Sequence, residues 1–155
     1  MRVTVDTNLL VYAADSAAGH RHAAASSALL RARHGDCVLM LQTLAEFFHV
    51  VTRKKKLPVE NAVARIENWQ DVFPVHAADG AALRTAVDAV RHHRLAFWEA
   101  LLWAAAQQAG CRLLLTEDMQ DGRRLGSVTF VNPFNPANAA LIDAALPPAD
   151  SGVSS

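Results

Sequence analysis

Short apolar runs punctuate the chain at residues 2–6 (RVTVD), 37–41 (CVLML), 71–75 (DVFPV), 112–116 (RLLLT) and 128–131 (VTFV). Most are apolar almost throughout, the pattern of strands buried on both faces rather than of half-exposed strands. Longer stretches with helical spacing and many Ala, Leu and Arg residues separate them, at 20–33, 43–55, 59–70, 79–92 and 97–109. Gly35 and Gly110 fall just past two of these ends, where a left-handed C-cap favours glycine. Strands alternating with helices long enough to serve as crossovers predict an α/β fold with a mainly parallel, five-stranded sheet. No internal repeat is visible. From Asn135 a short amphipathic helix is predicted, followed by a Pro, Ser and Gly tail that is expected to be mobile. The reading is one domain over 1–134 and a C-terminal extension over 135–155.

Composition narrows the class. A chain of 155 residues, 52% hydrophobic and 19% charged, has the material for one compact core. Fifteen basic and fifteen acidic residues give no net charge, so a polyanionic partner must be held by a local patch. Cys37 and Cys111 sit beside predicted strands and read as reduced, structural thiols. Asp6 interrupts the one candidate leader segment, and no uncharged run reaches the roughly 18 residues that cross a bilayer. The expected location is the cytoplasm, without a membrane partner.

In a parallel sheet, ligands gather outside the carboxyl ends of the strands. Those positions carry Asp6, Glu46 in TLAEFF, Glu99 in AFWEALLWAAA and Asp118 in LLLTEDMQDG. Each acid has an ordinary explanation. Asp6 can cap a helix starting near Leu9, Thr43 and Glu46 fit a capping box, and Asp118 can cap a turn. Glu99 can complement a helix dipole. Together these explanations weaken, because Glu46 and Glu99 lie in apolar surroundings where an unpaired carboxylate is costly. Two like charges about 4 Å apart repel by roughly 4 kcal/mol at an effective dielectric near 20, so a shared site needs a cation or a proton. Oxygen ligands alone point to a hard ion, Mg²⁺ or Mn²⁺, and to phosphodiester hydrolysis.

VDTNLLVY, the acid in LAEFFHVVTRKKK, FWEALLWAAA, and LLLTEDMQDG followed by VTFVNPF together resemble the PIN-domain ribonucleases, in particular the VapC-type toxins of bacterial toxin–antitoxin pairs. The resemblance covers about residues 2–134. It implies a three-layer α/β/α fold and metal-dependent cutting of RNA as the toxin of a type II system. It also implies a homodimer and a cognate antitoxin that covers the acidic groove. Carried over by position, it makes Asp6, Glu99 and Asp118 metal ligands, with Glu46 completing the catalytic set. Asn8 and Thr116 match polar positions that orient the site, and Asp121 matches a further acid. One departure stands out: the family usually has Asp where this chain has Glu99, which displaces the carboxylate by about one C–C bond, and octahedral Mg²⁺ is intolerant of such shifts.

Arg53, Lys54, Lys55 and Lys56 form the densest positive run, a candidate contact for an RNA backbone or simply cations at a helix C-terminus. Arg123 and Arg124 are weaker candidates of the same kind. The histidines of HRH (20–22) and RHHR (91–94) lack the spacing of a zinc site. Trp69, Trp98 and Trp103 read as core or interface anchors rather than base-stacking platforms. The rival functional class is a PIN-like module that binds RNA or protein without turnover. A haloacid-dehalogenase pattern fails at Asn8, a receiver domain lacks its lysine in FVNPF, and no P-loop, dinucleotide fingerprint or G-x-S-x-G elbow occurs.

Overall fold

The computed structural model describes residues 1–148, so the tail predicted to be mobile lies largely outside the described residues. The chain opens with β1 (Val3–Val5), α1 (Thr7–Ala14) and α2 (His20–Ala32). Next come β2 (Leu39–Met40), α3 (Leu41–Arg53), α4 (Val59–Val72) and β3 (Val75–His76). After α5 (Gly80–His93) and α6 (Phe97–Gln108) follow β4 (Leu113–Leu115), β5 (Arg124–Leu125), β6 (Val128–Val131) and α7 (Ala139–Ala145).

Four strands form one sheet in the order β1-β4-β6-β5, parallel except for β5. β2 and β3 form a parallel ribbon. A single bridge between Val3 and Cys37 joins this ribbon to β1, through Val3 N donating to Asp36 O and Val38 N to Val3 O. The parallel order is therefore β3-β2-β1-β4-β6. The expected five strands are present, but as a four-stranded sheet plus a ribbon, with β5 added.

Two boundaries depart from the pattern. The run at 71–75 is largely helix, because Trp69 and Phe73 bury at an i, i+4 spacing at the end of α4. Pro74 then forces extended backbone, leaving a strand of two residues. β5 is equally short and returns to β6 through Gly126, whose φ of 57° closes the hairpin. α1, which the pattern reached only as a helix that Asp6 would cap, begins at Thr7.

Side chains alternate across the sheet and build two cores. Val3, Val5, Leu113 and Leu115 face α1, α2, α3, α4 and α7, while Leu114, Val128 and Phe130 face α5 and α6. This is the three-layer α/β/α arrangement. Ile142 and Leu146 join the first core, so part of the expected extension is packed into the domain. Arg31 holds it there by donating to Leu146 O and Pro147 O and by pairing with Asp143. Cys37 and Cys111 are free and buried, and burial pushes both thiols up to about 12. Among the described residues no helix is long and apolar enough to cross a membrane.

Phe47 is fully buried in the first core and meets Trp69 edge-on, 4.7 Å between ring centroids. Phe47→Ala is expected to cost about 3–5 kcal/mol through reduced burial and the cavity left behind. Urea unfolding should show this as a lower midpoint with an unchanged slope.

Candidate active site

Asp6 leaves β1 still in extended backbone, its N–H bonded to Leu115 O, and its side chain caps α1. Oδ1 accepts from Thr7 N at 2.6 Å and Oδ2 from Thr116 Oγ1 at 2.7 Å. Thr116 stands at the exit of neighbouring β4, so the parallel pairing of β1 and β4 sets this contact. The same hydroxyl accepts from Asp118 N, and Asn8 Nδ2 donates to Asp118 Oδ2 at 2.8 Å. One exit is thereby tied to the next.

Glu46 enters from α3. Its carboxylate accepts from Thr7 Oγ1 and from Gln42 Nε2, both at 2.8 Å, and Gln42 Nε2 also reaches Trp98 O. Glu99 lies in the first turn of α6. Asp6, Glu46, Glu99 and Asp118, with Gln42, Trp98 and Leu102, line one cavity of about 140 Å³. The four acids are far apart in sequence, and the fold brings them to one pocket.

Burial is the main cause that raises the pKa of Asp6. The charges of Asp118 and Glu46 add to it, against the hydrogen bonds from Thr116 and Thr7. Asp118 is raised too, first by burial and then by the charge of Glu117. Desolvation and like charge both disfavour the ionised form, which a bound cation would favour. The donor set fits a hard divalent ion. It is all oxygen, and Gln42 Oε1 is a further buried acceptor with no partner among the described residues. Among those residues no three acidic, histidine or cysteine side chains converge closely enough to enclose an ion. The acids line the pocket without closing on one another.

The ordinary explanations fare unequally. Asp6 does cap α1 while facing the pocket, and Glu99 does occupy the dipole-favoured first turn of α6. The capping box does not form, because α3 begins at Leu41 with Met40 at its cap. Thr43 Oγ1 is instead buried without a partner among the described residues. Asp118 receives Asn8.

Other expected residues lie elsewhere. Asp121 does not line the pocket; it accepts from Asn132 N, Asn135 Nδ2 and Asn138 Nδ2, tying the loop after β4 to the segment before α7. In the basic run, Lys56 pairs with Asp15 at 2.8 Å, while Arg53, Lys54 and Lys55 are exposed at the far end of α3. That end is roughly 10 Å along the helix from Glu46, at about 1.5 Å per residue. Trp69 and Trp103 are core residues, the latter donating to Leu125 O, but Trp98 is 62% exposed at the rim of the pocket.

Thr7, Gln42 and Glu117 are site neighbours that the sequence pattern does not single out. Glu117 accepts from Tyr12 Oη and pairs with Arg21 at 3.1 Å, fixing the residue beside Asp118. Gln42 carried a usable signal, since it stands one helical turn before Glu46. Thr7 carried none beyond its place next to Asp6.

The fold and the pocket define a class, a three-layer α/β protein with four acids at the carboxyl edge of its sheet, and sequence comparison gives the family. The model of the PIN domain matches residues 3–122, which contain all four acids. The chain belongs to the PIN-domain family. No curated protein matches the sequence. VapC20 of Mycobacterium tuberculosis, described as a sarcin–ricin loop cleaving toxin, is 19% identical, with a TM-score of 0.57 over 72% of this chain and 86% of its own. VapBC2 of Rickettsia felis, bound to a promoter DNA fragment, is 15% identical, with a TM-score of 0.63 over 85% and 98%. A toxin–antitoxin complex from Klebsiella pneumoniae is 20% identical, with a TM-score of 0.63 over 86% and 98%. At these identities the likeness establishes the shared fold.

The Asp121 knot yields a pH-dependent prediction. The Asn132 backbone N–H, with the amides of Asn135 and Asn138, holds its pKa below the ordinary 3.8. A depressed folded-state pKa contributes stability above the unfolded value and loses it as pH falls through the folded one. In Asp121→Asn an amide N–H₂ meets other donors, so the variant should melt below the parent at pH 7. The difference should shrink as pH falls below the carboxylate range, as thermal melts from neutral to strongly acidic pH can measure.

Proposed function

We propose that the protein is a metal-dependent endoribonuclease, acting as the toxin of a type II toxin–antitoxin pair in the cytoplasm. The observation that carries this reading is the convergence of Asp6, Glu46, Glu99 and Asp118 on one pocket within a PIN domain. Asp6, Glu99 and Asp118 are the assigned holders of Mg²⁺ or Mn²⁺, with Glu46 completing the set. When bound, such an ion lowers the pKa of its water and offsets charge on the phosphoryl oxygens.

The chain's own residues do the positioning. Thr116 and Asn8 fix the carboxylates of Asp6 and Asp118 by donating to them. Thr7 and Gln42 hold Glu46 towards the pocket, where it can accept a proton from the attacking water. An antitoxin segment is assigned to the apolar groove of about 720 Å³ between α3 and α6, which shares Gln42, Glu46 and Trp98 with the acidic pocket. The two toxin–antitoxin neighbours support an antitoxin partner. Homodimerisation is assigned to the exposed stripe Leu83, Val87 and Val90 on α5, spaced to lie on one helix face.

Glu99 supports a second reading, a module that binds RNA or a protein partner without cutting, because the family usually has the shorter Asp there. Cleavage of labelled structured and unstructured RNAs in Mg²⁺, Mn²⁺ or EDTA separates the two. The nuclease reading expects cutting that EDTA abolishes and that Asp6→Asn removes, a change that keeps a good helix cap. Thr116→Val, which removes the hydroxyl that donates to Asp6 and accepts from Asp118 N and leaves the four acids in place, should cost about 10–100-fold in rate. Cutting that persists in EDTA or in Asp6→Asn would sink the assignment, and binding without cutting under every metal would establish the second reading.

A further inference from the structure

A second cleft, of about 470 Å³, shares Glu99 and Asp118 with the acidic pocket. His92, His93, Arg94 and Arg123 line it together with those two acids. The first three belong to RHHR, a motif to which neither the fold nor the acidic pocket gives a role. We propose that this cleft is the phosphate-binding subsite that seats the backbone of the RNA strand next to the acids. The assignment rests on the nuclease reading for its substrate, and it places that substrate on the α5 side of the pocket rather than along Arg53 to Lys55.

The positive end of RHHR has an ordinary account, since cations in the last turn of α5 complement its dipole. Arg123 reaches the same helix end from the loop before β5, donating through Nη2 to His93 O at 3.0 Å, a contact that uses one of its five N–H groups. Two separate elements thus converge on one cleft with guanidinium groups, whose fork geometry suits phosphate oxygens. Among the described residues neither arginine has a carboxylate within ion-pair distance. His92 pairs with Asp88 when protonated, and the nearby acids Glu99 and Asp118 are those assigned to the cation.

Backbone conformation adds a separate observation. Arg94 follows α5 with φ of 56°, a left-handed conformation that suits glycine and disfavours a residue with a Cβ. Arg94→Gly therefore removes the cation without straining the backbone. Lys55 has the same conformation, with φ of 54°, at the end of α3. It lines none of the clefts around the acids and so serves as a matched control.

The test measures fluorescence anisotropy of a short single-stranded RNA carrying 2′-O-methyl riboses, which resist cutting, against salt concentration in Mg²⁺ and in EDTA. Arg94→Gly removes the cation and relieves the backbone, so binding should weaken several-fold without a fall in melting temperature. The log–log salt slope should drop by about 0.7 for each phosphate that is no longer neutralised. Arg123→Gln should have a similar effect on the slope, and Lys55→Gly should leave affinity and slope unchanged. Unchanged slopes in both arginine variants, or weakening confined to Lys55→Gly, would overturn the subsite, as would a parent protein that binds no RNA. RNA that binds with the expected slopes but is never cut in its natural form would end the nuclease reading and leave the subsite standing. Weakened binding to a protein partner, with RNA affinity intact, would reassign the cleft to protein docking.

Discussion

Bringing several carboxylates to one pocket, partly out of water, is the constraint on which this structure turns. Asp6 shows it most directly, because burial and the charges of Asp118 and Glu46 act together to raise its pKa. Hydrogen bonds from Thr7 and Thr116 oppose that rise without cancelling it. Left alone, such a cluster would separate or protonate. Here Asp6 is fixed at the end of β1, Glu46 and Glu99 lie within α3 and α6, and Asp118 is held in the segment after β4 by Asn8 and Thr116.

The remainder of the fold supplies the support. Two apolar cores clamp the sheet from both faces, and the central strands are buried almost completely. Their exits are therefore positioned by packing deep in the molecule rather than by the loops that follow. The polar links are few and specific: Thr116 joins β4 to Asp6, Asn8 joins α1 to Asp118, and Thr7 and Gln42 hold Glu46. Beyond them the pocket shares Gln42, Glu46 and Trp98 with an apolar groove, and Glu99 and Asp118 with a cleft that Arg94 and Arg123 also line. In the proposed function, substrate and antitoxin approach the same acids across surfaces of different chemistry.

Several features were legible in the sequence because they depend on local pattern. Strands buried on both faces leave continuous apolar runs, so β1, β4 and β6 were visible. The acids could be found because carboxylates are conspicuous at strand exits and in apolar helices. β5, two residues long, has no periodicity to read and escaped, while β3 starts only at the last residue of its predicted run because Trp69 and Phe73 extend the helix before it. Asp121 shows the same limit in the site itself, because an acid near a strand exit looks alike whether it faces a pocket or ties down a chain segment.

The sequence by itself determined the class of fold, the family resemblance, the four acids and the oxygen-rich chemistry they imply. These follow from side-chain type and spacing, which local physics can interpret. Only the tertiary structure decided which polar neighbours hold each acid, that Trp98 stands exposed at the rim while Trp69 and Trp103 are core, and that Lys56 is engaged by Asp15. It also decided that Arg94 and Arg123, 29 positions apart in the numbering, meet beside Glu99 and Asp118. The physical reason is common to all of these: each depends on parallel crossovers that bring distant segments to one edge of the sheet, and the separation of residues along the chain carries no record of that.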